Sequence, residues 1–282
     1  MGRRTPGDGP TDRPRGLRAV VRRWPVLAFC LLLAAASWPV QLVIGRSVLL
    51  APVGPSVCAF VVVALAEGRS GVRELWGRVL RWRVPLRYHV FALTGLGAGT
   101  LAVAYAATAV AFPDQQLAAP STAVLVSAPI NLVAIFVLAG LGEEFGWRGF
   151  LQVRLQARHP RSGGPARAAL LVGVLFAVWH APLTVVEQGG VTTTLLWFTA
   201  GTVGISLVYA WLFARSGGSV LLVAMMHAGQ NTWTGLLYQD AFSFAPAFFD
   251  AVVQVTAVGA GVLTLVLTRG RLGLGAPGLR VR

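Results

Sequence analysis

A rhythm constrains this chain more than any other feature. Apolar stretches about twenty residues long recur from Trp24 to Thr268, separated by short arginine-bearing segments. A helix rises about 1.5 Å per residue, so a stretch of that length crosses a hydrocarbon core about 30 Å thick. Such stretches lie near residues 24–44, 48–66, 88–112, 122–145, 168–186, 193–214, 219–237 and 246–268. Pro52, Gly54 and Pro55 interrupt the second, and the fourth continues as an amphipathic pattern toward Arg158. Composition agrees, since only 12% of residues are charged and mean hydropathy is +0.68. A soluble domain carries about 25% charged residues. So few charges cannot clothe a water-exposed surface. The expected fold is therefore all-α: a polytopic transmembrane helical bundle of about eight spans with almost no soluble mass.

Charge supplies the orientation. All 24 basic side chains are arginine, set against 10 acidic ones. An excess of this size raises nucleic acid as a partner, but no basic groove interleaved with stacking aromatics is visible, and nucleic acid is excluded. The arginines instead sit between apolar runs, as topology signals do. The tail to Arg23, the segments 67–87 and 148–167, Arg215 and the tail from Arg269 hold 23 of them. Arg46 stands alone on the opposite side. This asymmetry predicts that both termini are cytoplasmic, and moving the parity by one span would destroy it. Arginine without lysine, in an Ala/Gly/Val-rich chain, also points to a GC-rich bacterial genome, so the expected location is multi-pass in a bacterial inner membrane.

The basic start, apolar residues 26–33 and small residues 34–36 imitate a signal peptide, but the apolar run continues to Ile44. That exceeds a usual h-region, and an uncleaved first helix is expected. The segment 72–85 places Leu75, Trp76, Val79, Leu80 and Trp82 among arginines and reads as an interfacial amphipathic helix on the anionic leaflet. Cys30 and Cys58 lie inside apolar runs without a CxxC pair, which argues against disulfides and thiolate metal sites. The expected organisation is a basic tail (1–23), amino-terminal spans with the interfacial helix (24–121), a core (122–237), a last span (238–268) and a second basic tail (269–282).

Charge inside a span costs about 2.5–3.5 kcal/mol at the bilayer centre, so intramembrane polar residues mark function. Here they concentrate in three places: Glu143, Glu144 and Arg148 in the fourth stretch, His180 in the fifth, His227 and Asn231 in the seventh. His89 at a membrane edge and His159 in a basic loop are less informative. Glu144 and Arg148 are four apart and share a helical face, whereas Glu143 is rotated about 100° away. One glutamate can be held while the other stays free. Counting along their helices, His180 lies about 20 Å past Arg167 and His227 about 12 Å past Ser219, so three helices can converge on one polar pocket. Gly142 and Gly146 on the fourth helix suit close helix packing.

These residues resemble a known pattern. Glu143-Glu144-Phe145-Gly146-Trp147-Arg148 is similar to the EExxxR motif of the CPBP intramembrane proteases, the CAAX prenyl endopeptidase or Abi family. Phe176 to His180 resembles the family's FxxxH motif, and His227 to Asn231 its HxxxN motif. All three occur in family order, on separate predicted helices, within about 122–237. The resemblance implies an intramembrane endopeptidase without metal or other cofactor, acting on a peptide or membrane-protein substrate in the lipid bilayer. It implies that Glu143 activates a water held with His180, that His227 and Asn231 bind the oxyanion, and that Glu144 and Arg148 position the helix. Bacteria generally lack prenylated CAAX substrates, so CAAX specificity is not carried over. The chemistry stands on its own terms: amide hydrolysis needs a base near neutrality and donors aimed at the developing oxyanion.

Three other readings fit the same residues. Glu143, His180 and His227 make a plausible His₂Glu zinc set, although there is no HExxH. A polar pocket also suits a transporter or proton relay. An immunity or scaffold protein could keep the motifs without cleavage.

Overall fold

The computed structural model describes residues 16–44, 52–117, 119–158, 164–188, 190 and 193–273. The outer parts of both basic tails, Arg46 and His159 lie outside them. The described residues form helices and no strand, as expected where lipid offers the backbone no hydrogen-bond partners.

A short helix, α1 (Leu17–Arg23), leads into α2 (Pro25–Ile44) and α3 (Gly54–Gly77). There follow α4 (Leu86–Ala111), α5 (Thr122–Arg158) and α6 (Gly164–Gln188). Next come α7 (Thr193–Arg215), α8 (Val220–Ala241) and α9 (Pro246–Thr268). Among the described residues, seven of these helices are long and apolar enough to cross a membrane. α8 has the length, at 22 residues, but is not one of the seven. Its lower apolarity comes from His227, Gln230 and Asn231; the first two meet polar partners, Glu144 and Tyr209.

Two segments depart from the sequence reading. The prolines near residue 52 do not interrupt a span; Pro55 occupies the first turn of α3, where a missing N–H costs nothing. The expected interfacial helix over 72–85 differs in its bounds: α3 consists of two helical stretches that meet at a kink at Gly68, and the second of them stops at Gly77. Gly68 has φ 67° and ψ −153°, a conformation that only glycine adopts readily. Beyond it a turn and a short loop carry the chain to α4, and this loop is tied to the turn between α7 and α8. The Arg81 guanidinium donates to the Gly217 carbonyl at 2.6 Å, and the Val220 N–H donates to the Arg78 carbonyl at 3.1 Å. Burial and the neighbouring Arg81 charge lower the Arg78 guanidinium to about 10, against the pull of Glu74, so it stays charged at neutral pH.

The fourth helix is the axis of the molecule. α5 runs 37 residues without a break, which at about 1.5 Å each exceeds the bilayer core. Its first half, Thr122–Ile135, has no buried residue, whereas every residue from Gly142 to Gln152 is buried. Small residues allow that change. A Cβ on Gly140 would lie 2.7 Å from the Ala224 carbonyl oxygen of α8, and one on Gly146 2.6 Å from that of Pro55. Gly142 is equally close to Pro52. Backbones therefore touch where side chains would have held them apart.

Candidate active site

Two stretches of α5 are wound as π-helix, Phe136–Leu141 and Phe145–Gln152, and between them Gly142–Glu144 keeps α geometry. π turns are a less favourable winding found disproportionately at functional sites, since they re-aim side chains. They also displace carbonyls from the regular ladder. The Ser56 hydroxyl of α3 donates to one of these, Leu141, at 2.7 Å.

The re-aimed glutamates face different surroundings. Glu144 is fully buried, and both its oxygens accept from Arg148 Nη1 at 3.0 Å. Its Oε1 also meets Nδ1 of His227 on α8 at 3.0 Å. A carboxylate only accepts, so His227 Nδ1 carries the proton in that bond. Arg148, itself only 2% exposed, reaches on to Ser206 Oγ of α7 at 3.3 Å, and Ser206 donates to the Ala169 carbonyl of α6 at 2.8 Å. One ion-pair network thus links α5, α6, α7 and α8. Arg148 is therefore no loop residue, and it does not belong with the topology arginines.

Glu143 points elsewhere. It is buried, its Oε2 has no hydrogen-bond partner among the described residues, and it lies within electrostatic reach of His227, Glu144 and Arg148. The Trp147 indole N–H lies beside Glu143. Unpartnered buried oxygens are rare, because each costs its full desolvation.

His180 donates from Nδ1 to the Phe176 carbonyl at 3.1 Å, which leaves Nε2 of the neutral ring as an acceptor. Its ring is walled by Phe176, Trp179 and Phe198, with centroids 4.5, 4.4 and 5.5 Å away. It is electrostatically coupled to His227. Asn231 is not drawn into the network: it is exposed, one turn beyond His227, and makes no hydrogen bond among the described residues. Among those residues, no three His, Cys, Asp or Glu side chains are grouped to hold a metal ion.

Three polar contributors escaped the sequence reading. Ser206 and Tyr209, three apart on α7, hold Arg148, with the guanidinium 4.7 Å from the Tyr209 ring centroid. The Tyr209 hydroxyl donates to Gln230 of α8 at 3.0 Å. The signal was available: two hydrogen-bonding side chains, three apart, on one face of the span.

Fold and site together define a polytopic membrane protein with a buried Glu–Arg–His network and, beside it, a second buried carboxyl with one unpartnered oxygen among the described residues. Comparison with known proteins agrees. Residues 125–233, which hold all three motifs, match the family described as Type II CAAX prenyl endopeptidase Rce1-like. A curated relative, CAAX prenyl protease 2 of Methanococcus maripaludis, is 25% identical over 105 residues. That alignment covers 35% of this chain and 37% of the relative. Both findings support the CPBP/CAAX protease family for this stretch.

Proposed function

We propose that the protein is an intramembrane endopeptidase in which Glu143 activates water for attack on a peptide bond. The observation that carries this reading is the buried, unpartnered Oε2 of Glu143 beside a neighbour that is fully engaged. The reading requires that the same water also donate to Nε2 of His180, whose Nδ1 is occupied. Glu143 takes one proton as the water oxygen bonds to the carbonyl carbon, and later returns it to the leaving amine.

The oxyanion needs donors. His227 can supply one from Nε2 only as the imidazolium, since its Nδ1 proton is already given to Glu144. The Glu144 carboxylate stabilises that charged ring, so Glu144 acts through His227 as well as through Arg148. Asn231, exposed one turn away, is the second donor. This set needs no metal. We place the protein in a bacterial inner membrane, and take its substrate to be a peptide or membrane-protein segment.

The test is a census of new amino termini in membranes expressing the wild type or Glu143→Ala at equal levels. The reading expects termini present only with the wild type. Identical sets from the two would refute it.

A further inference from the structure

Away from the candidate site, a crevice of about 610 Å³ opens where α1 meets the end of α3. Its wall carries Arg18 from α1 and Arg69, Arg73 and Trp76 from α3. The last three are spaced i, i+4 and i+7, so the stretch beyond the Gly68 bend presents them on one face, toward α1. Leu65 and Val72 form its apolar side.

Charges at this end of the bundle are sorted. The two carboxylates of α3 are taken elsewhere: Glu67 pairs with Arg154 and Glu74 with Arg78. Arg18, Arg69 and Arg73 are exposed and have neither ion pair nor hydrogen bond among the described residues. Three unneutralised guanidiniums around one crevice repel one another unless an anion joins them. Arginine forks suit phosphate oxygens, and a half-exposed tryptophan with an aliphatic wall suits the boundary between headgroup and acyl chain.

We infer that this crevice binds the phosphate headgroup of an anionic phospholipid, its acyl chains lying along Leu65 and Val72. The shared chemistry is an anionic phosphate, and the position beside membrane-spanning helices selects a lipid as its source. The crevice adjoins α5. Trp76 stacks on Phe145 at 5.7 Å with planes 7° apart, and Phe145 directly follows Glu144.

The experiment reconstitutes the full chain in phosphatidylcholine vesicles and titrates in phosphatidylglycerol with brominated tails, or brominated phosphatidylcholine as control. Quenching of Trp76 is isolated by subtracting the Trp76→Phe variant. Half-maximal quenching should need far less phosphatidylglycerol than phosphatidylcholine. Arg69→Gln and Arg73→Gln should each raise that requirement about fivefold. Single-charge controls, Arg83→Gln and Arg87→Gln, should each leave it unchanged, and Arg69→Gln and Arg73→Gln should unfold at the wild-type temperature because those two arginines have neither ion pair nor hydrogen bond among the described residues. Equal quenching by the two lipids overturns the proposal, as does an equal loss in the control pair. Competition by millimolar inorganic phosphate would overturn the lipid assignment.

Discussion

Glu143 and Glu144 are adjacent and chemically identical, yet helix rotation of about 100° per residue gives them opposite surroundings. Glu144 holds two partners in a dry interior; Glu143 holds none on Oε2. Their glutamine variants should therefore differ in stability. Glu144→Gln leaves Arg148 as a buried uncompensated charge, and breaking such a pair costs about 3–5 kcal/mol. Glu143→Gln breaks no ion pair and should unfold close to the wild-type temperature. Asn231→Ala should also leave stability unchanged while slowing cleavage about 100-fold, if its amide meets the oxyanion. Detergent melting curves, read beside cleavage rates, check all three. Equal melting of the two glutamine variants would deny the division of labour.

At the scale of helices, much was legible and some was not. Long apolar runs announce themselves, because lipid demands continuous hydrogen-bonded backbone under apolar side chains. The Glu144–Arg148 pair was legible for the same reason: four residues is one helical turn. The π winding of Phe136–Leu141 and Phe145–Gln152 was not, since no residue spacing marks it; it coincides with the close backbone approaches at Gly140 and Gly146. Neither was the Glu144–His227 bond, which joins residues 83 apart in sequence. Nor was the kink at Gly68, which sets the helical stretch ending at Gly77 apart from the rest of α3 through a dihedral that glycine adopts readily. Helix direction rests on arginine placement, which survives without Arg148. Reporter fusions in the loop at Leu117 should read periplasmic, and those at Gly217 cytoplasmic. The reverse pattern would invert every helix and turn the candidate site toward the periplasm.

For the whole molecule, the arrangement is a bundle whose lipid-facing helices enclose one polar network. α5 supplies both glutamates, α6 and α8 bring the histidines, and α7 holds the arginine through Ser206 and Tyr209. The central claim is that the Glu143 carboxylate, without a metal, hydrolyses a peptide bond inside this enclosure. Its most direct test is single-turnover cleavage by the reconstituted protein of a peptide spanning one of the wild-type-dependent termini. Wild type and Glu143→Gln are compared, each with and without a strong chelator. The account predicts that the wild type cleaves at the same rate in chelator, and that folded Glu143→Gln does not cleave at all. Near-wild-type cleavage by Glu143→Gln, or wild-type activity lost in chelator and restored by stoichiometric zinc, would contradict it.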